Sequence, residues 1–228
     1  MQFYPIENHS WVAIDIHHNL GEQATLPTNK IRSTNKAVST HKSGSMSCRQ
    51  LLKKLQQALN VTGELMEANF PYHFITADGY TWYVSFSHSR QHAAVLISPY
   101  ANIGIDVEDS AISHQVASRF FSPHEYQWLN QKPAVNQAVL RNLLWRLKEC
   151  AIKTHQNADK QLTKELKHDV LDELGEEVIN QLIGAHEINA KDKSKNKPKN
   201  KPIQCVQTDA KIVGNFSSKP CSFIIVNR

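Results

Sequence analysis

The chain has 228 residues, of which 40% are hydrophobic and 21% charged, enough to bury the core of one large domain or two small ones. Its formal charge of +5 is local: Lys191, Lys193, Lys195, Lys197, Lys199 and Lys201 face only Asp192, and six minus one accounts for all five charges. The basic character is therefore local, and it could serve nucleic acid or equally another anionic partner. No apolar run nears the roughly 18 residues of a membrane span. Cys48, Cys150, Cys205 and Cys221 show no CxxC spacing, and the opening Met1-Gln2-Phe3-Tyr4-Pro5 lacks the character of a leader, so the chain reads as a reduced, cytoplasmic protein.

Trp11 to Ile16 predicts an opening strand rich in β-branched residues, with Asp15 as a structural acid. Gly21 to Ser47 turns to Thr, Ser, Asn and Lys and predicts a loop. Apolar residues at 51, 52, 55, 58 and 59 predict an amphipathic helix capped by Ser47. Arg49 then falls in the first turn, where a helix attracts phosphate. Trp82 to Phe86 and Ala93 to Ile97 predict two strands joined through Ser87-His88-Ser89. Serine and histidine at such a turn can donate to a phosphate, although lone Ser-His pairs are commonly structural. Gly-x-Ser-x-Gly is absent, which removes one form of serine hydrolase.

Gly104-Ile105-Asp106-Val107-Glu108 sets two carboxylates at i and i+2 in an apolar strand, on one face. Buried like charges need a counter-ion or a proton. Ser113 to Phe121 and Pro123 to Asn130 predict short helices, the second with Pro at its first position after Ser122. Val139 to Thr154 predicts a long helix with Leu140, Leu143, Leu144, Leu147 and Ile152 on its apolar face. Along it Trp145, Glu149 and Lys153 recur at i, i+4 and i+8, placing an aromatic, an acid and a base on one stripe. Three carboxylates beside a lysine suit magnesium and phosphoryl transfer; strand-end acids and a solvated ion pair are the structural alternative. Glu165 to Ile183 has a charged helical pattern, Lys191 to Pro202 reads as a low-complexity, disordered loop, and Ser222 to Val226 as a closing strand.

In order and spacing, Gly104-Ile105-Asp106-x-Glu108 and Trp145-x-x-Lys148-Glu149-x-x-x-Lys153 resemble the paired motifs of the 4'-phosphopantetheinyl transferases. Arg119 to Tyr126 resembles the segment between those motifs, and Phe86-Ser87-His88-Ser89 the family's Ser-His-Ser turn. The resemblance covers roughly Arg49 to Lys153, and the length suits the longer, Sfp-type (surfactin-synthetase-activating) branch. It implies an α+β pseudo-dimer of two similar halves, each a small antiparallel sheet packed on a long helix. Residues 1–102 would grip the coenzyme A phosphates. Residues 103–228 would carry the metal site and catalytic helix, with the Lys-rich loop at 190–202.

The activity implied is transfer of the 4'-phosphopantetheine arm of coenzyme A to a serine of an apo acyl or peptidyl carrier protein, by a monomer. Asp106, Glu108 and Glu149 would hold magnesium, with manganese as the alternative ion. Glu149 would take the serine proton, and Lys153 would steady the phosphate oxygens. Arg32, Lys36, Arg49, Ser87, His88 and Lys153 would bind coenzyme A, the substrate. Between Asn69 and Thr81 the chain lacks the family's Gly-Lys-Pro turn and its lysine. A magnesium-dependent nuclease or phosphodiesterase, and a non-catalytic coenzyme A or nucleic-acid binding module, are the readings from other classes.

Overall fold

The computed structural model describes residues 1–7, 9–16, 36–155, 169–191, 203–216 and 219–226. The fold is α+β, with two antiparallel sheets and helices on their outer faces, compatible with the expected two-halved architecture. The first sheet has the order β1 (Gln2–Ile6), β2 (Ser10–Ile16), β5 (His92–Ser98), β4 (Thr81–His88), β3 (Tyr72–Ile75). The second runs β6 (Asn102–Val107), β9 (Cys221–Val226), β8 (Lys211–Phe216), β7 (Ile203–Gln207).

Strand alternation divides the core into three layers. Val12, Ile14, Ala94 and Leu96 of the first sheet meet Ile103, Ile105, Val107, Phe223 and Ile225 of the second. Ala13, Val84, Val95 and Ile97 point the other way, onto Leu51, Leu52 and Leu55 of α1 (Lys36–Leu59). On the far side of the second sheet, Val213 and Ile224 pack with Leu143, Leu144 and Leu147 of α4 (Ala134–His155). The same cluster takes in α2 (His114–Phe120), α3 (Pro123–Asn130), α5 (Val170–Leu174) and α6 (Glu176–Lys191). Among the described residues no helix is long and apolar enough to cross a membrane.

The two short helices are built as their sequence predicts. The Ser113 side chain caps α2, and Ser122 with Glu125 forms a capping box on α3, with Pro123 at the first helical position. Other elements differ from expectation. α1 begins at Lys36 rather than after Ser47, so the stretch read as loop is in part helix and Arg49 sits mid-helix. Once the Leu51–Leu55 turns are nucleated against the sheet, adding residues is cheap and Ser/Thr propensity is a weak obstacle. α4 starts at Ala134, five residues early; Val135 and Val139 are 82% and 60% exposed and blur the apolar period that marks the rest of the helix.

Glu108 lies one residue beyond β6, although its amide still bonds the Pro220 carbonyl at 3.0 Å. Within Glu165 to Ile183 the described residues form two helices rather than one, broken at Gly175, whose φ of +84° is left-handed. Strands β1, β3, β7 and β8 carry no strong sequence pattern and were not foreseen. Arg32 lies outside the described residues. So does most of the Lys-rich stretch, from 192 to 202.

Candidate functional site

β6 is an edge strand, so its outward amides and carbonyls need partners other than a ladder. Two serines of β4 supply them: the Ile105 amide donates to Ser85 Oγ at 3.2 Å and the Val107 amide to Ser87 Oγ at 3.1 Å. Ser87 Oγ in turn donates to Asp106 Oδ1 at 2.9 Å. From α4, Lys153 Nζ donates to the Ile105 carbonyl at 2.7 Å and to Asp106 Oδ1 at 3.1 Å. α4 approaches this strand closely because residue 104 is glycine: a Cβ there would collide with the Cys150 carbonyl.

Asp106 is buried, while Glu108 and Glu149 are half-buried. Burial pushes the Glu149 carboxyl above its usual range, Asp106 pushes it further and Glu108 adds to the effect, against the opposing pull of Lys153 and Lys148. These are three acids sharing one field. For Lys153, desolvation lowers the pKa but Asp106, Cys150 and Glu149 outweigh it, so the ammonium is held charged. Three carboxylates and one lysine leave an excess of negative charge, and oxygen donors are the kind that suit a hard divalent cation, although the described group whose donor atoms gather within 4.8 Å of one another is His124, Asp169 and Asp172 rather than these acids. Glu108 also fixes the chain after β6, its Oε1 accepting from the Ser110 amide at 2.8 Å.

The other expected residues are distributed as follows. Ser87 is committed to Asp106 and the Val107 amide. His88 ends β4, and its imidazole lies against Gly44 of α1, where a Cβ would clash with the ring. Arg49 is paired with Glu67, its Nε donating to Oε2 at 2.9 Å, and this bond holds its pKa up. Of Lys36 only the backbone, in the first turn of α1, is described. Lys148 points away from the acids into the core, 2.8 Å from Glu125 Oε2. Trp145 packs edge to face on Phe120 with ring centroids 5.7 Å apart, a supporting role.

Sequence reasoning passed over Ser85, Asp109 and Arg146. Arg146 is buried behind β9, donating to Ser222 Oγ at 3.1 Å and Asn215 Oδ1 at 3.3 Å. It offsets part of the negative charge of the acids, and desolvation depresses its pKa despite the pull of neighbours that include Asp106. Its position, one residue after Trp145, offered no periodic signal. Asp109 had one: it directly follows the paired acids.

Two further features lie apart from the acids. His124, Asp169 and Asp172 bring donor atoms within 4.8 Å of one another at the starts of α3 and α5. There Asp169 already caps α5, accepting from the Asp172 amide at 2.9 Å, and receives the Ser122 hydroxyl. An open cavity of about 600 Å³ lies at the other end of β4, lined by Thr76, Tyr80, Trp82 and His9 among others, and among the described residues none of the expected site residues lines it.

Residues 102–205 match the family model described as the 4'-phosphopantetheinyl transferase superfamily. The match takes in just under half of the chain, from β6 to the middle of β7, and contains Asp106, Glu108, Lys148, Glu149 and Lys153. It supports phosphopantetheinyl transfer in general as the chemistry, and a transferase as the class. No curated protein matches the chain.

Proposed function

We propose that the chain transfers the 4'-phosphopantetheine arm of coenzyme A to a serine hydroxyl of an apo acyl or peptidyl carrier protein, releasing adenosine 3',5'-bisphosphate. The observation that carries this reading is the contact of Lys153 with Asp106 at the end of β6, with Glu108 and Glu149 near enough to act electrostatically on one another, within the segment matched to the superfamily. Asp106, Glu108 and Glu149 would hold magnesium or manganese. When bound, such an ion neutralises charge on the pyrophosphate as it is cleaved.

The chain's own residues supply the rest. The carrier serine oxygen forms a bond to the phosphorus that bears the pantetheine arm, the bond from that phosphorus to the bridging oxygen breaks, and the bridging oxygen leaves with the adenosine bisphosphate. Glu149, at the acid cluster on α4, accepts the serine proton. Lys153, kept charged beside Asp106, steadies the phosphate oxygens. Ser87 and His88 close the side of the site that faces the first sheet, and Arg49, Lys36 and Arg32 would supply cations to the coenzyme's other phosphates. Because one chain supplies both halves, the working unit is a monomer.

The test is intact-mass analysis of an apo acyl and an apo peptidyl carrier protein, each incubated with the chain, coenzyme A and magnesium, with Asp106→Ala and EDTA controls. A gain of one phosphopantetheine mass, lost in both controls, is the expected result. No gain on either carrier overturns the assignment.

A further inference from the structure

Asp109 stands one position beyond the paired acids, yet its carboxylate serves the turn between β4 and β5. Its Oδ2 accepts from the Gln91 amide at 2.6 Å and from Ser89 Oγ at 2.5 Å. Its Oδ1 lies 2.5 Å from His92 Nδ1, and both side chains are only 11% exposed. The turn is closed on itself as well: the Ser89 amide donates to the His92 carbonyl at 2.8 Å, and the His92 amide donates to Ser89 Oγ at 3.2 Å. Three donors from one four-residue turn therefore converge on a single carboxylate two residues past the end of β6, in the other sheet.

The position of this staple gives it a consequence. Ser89 is two residues from Ser87, and Asp109 is three from Asp106 and adjacent to Glu108. No main-chain ladder joins β4 to β6; the Ser85 and Ser87 hydroxyls and the Asp109 carboxylate make the connection. Slack at Asp109 would be passed directly to the spacing between Ser87-His88 and the acids, and about 1 Å of misplacement can cost on the order of a hundredfold in rate.

We propose that Asp109 is a positioning residue, which, through Ser89, His92 and the Gln91 amide, fixes the distance between the Ser87-His88 end of β4 and the acids Asp106 and Glu108. It touches no substrate. This inference rests on the phosphopantetheinyl transfer reading.

The test uses the full chain, with Asp109→Asn as the main variant, because it keeps the shape while replacing one acceptor oxygen with a donor. Coenzyme A binding is followed by calorimetry, kcat and KM by transfer to an apo carrier, and folding by Tm without ligand. Ser89→Ala, which removes one donor and leaves the carboxylate, is the second variant. The expected result is coenzyme A affinity weakened roughly tenfold in Asp109→Asn and a few-fold in Ser89→Ala, with KM rising in step and Tm of Ser89→Ala unmoved. Unchanged affinity in the folded variants, whatever happens to Tm, overturns the proposal alone when the wild-type chain binds and transfers normally. A wild-type chain that neither binds coenzyme A nor transfers the arm overturns the functional reading and this proposal with it.

Discussion

Lys153 Nζ donates to Asp106 Oδ1 at 3.1 Å and, with the same ammonium, to the Ile105 carbonyl at 2.7 Å, so the last turn of α4 seals the open edge of β6. Replacing Lys153 with Met would leave a carbonyl without its donor and a buried carboxylate without its cation. Because Lys153 is 20% exposed, water recovers part of the loss. A destabilisation of roughly 2 kcal/mol is expected in urea denaturation, and about half of that for Lys153→Arg, which keeps the charge. A Lys153→Met variant as stable as the wild type would refute the sealing role.

The Lys148–Glu125 pair is buried much more deeply, with side chains 1% and 0% exposed. Glu125 also accepts from the Ser122 amide at 2.8 Å and the Val170 amide at 2.8 Å, so one carboxylate joins the starts of α3 and α5 to α4. Lys148→Met and Glu125→Gln should each cost about 3–5 kcal/mol, since either leaves a buried group uncompensated. The double variant should cost clearly less than the sum, and a double-mutant cycle measures the difference. Additive losses would show that the two groups act separately.

Glycine within a helix ordinarily costs up to about 1 kcal/mol against alanine. At Gly44 the sign is expected to reverse, because the added methyl meets the imidazole of His88. Gly44→Ala should lower Tm by several degrees. In a His88→Ala background the same substitution should raise it. Equal effects in both backgrounds would mean that the ring has room to move aside.

His124 is surrounded by carboxylates, its Nδ1 3.3 Å from Asp169 and 3.2 Å from Asp172, with Glu176 3.7 Å from Nε2. Desolvation lowers its pKa, but the three acids together outweigh it and the net shift is upward. A group whose folded pKa is raised stabilises the fold fully below its unfolded value, and that contribution fades as pH rises through the folded value. Stability measured in urea should therefore begin to fall as pH rises past the ordinary histidine value of about 6.5, in a step that His124→Gln removes. A step that persists in His124→Gln belongs to another group.

The acids at the end of β6 and the Glu149 helix were legible because each sets a charged residue in an apolar pattern, whereas Ser87 and His88, read as a turn, are the last residues of β4. Asp106 stands out between Ile105 and Val107, and Glu149 follows Trp145 by one helical turn. What escaped was set by tertiary partners. β1 and β3 have weak patterns of their own and become strands because β2 and β4 offer them edges. The extra turns of α1 carry serines and threonines that read as loop, and Gly44 is tolerated there through the packing of His88, a contact forty-four residues away in sequence. The link from Asp109 to Ser89 and His92 is likewise a contact between chain segments, which no local window contains.

The face-to-face meeting of the sheets bears on how the chain can be cut. The segment that matches the superfamily begins at β6, yet Ile103, Ile105 and Val107 are covered from the opposite side by Val12, Ile14, Ala94 and Leu96. Excised on its own, that segment would also lose β8 and β9, leaving β6 and β7 without the strands that pair with them, and would present the apolar face of β6 and bare strand edges to water, the surface from which aggregation starts. The first hundred residues thus act as the other segment's solubility partner, and expression trials that trim the chain to the recognised motif should yield inclusion bodies rather than a smaller enzyme.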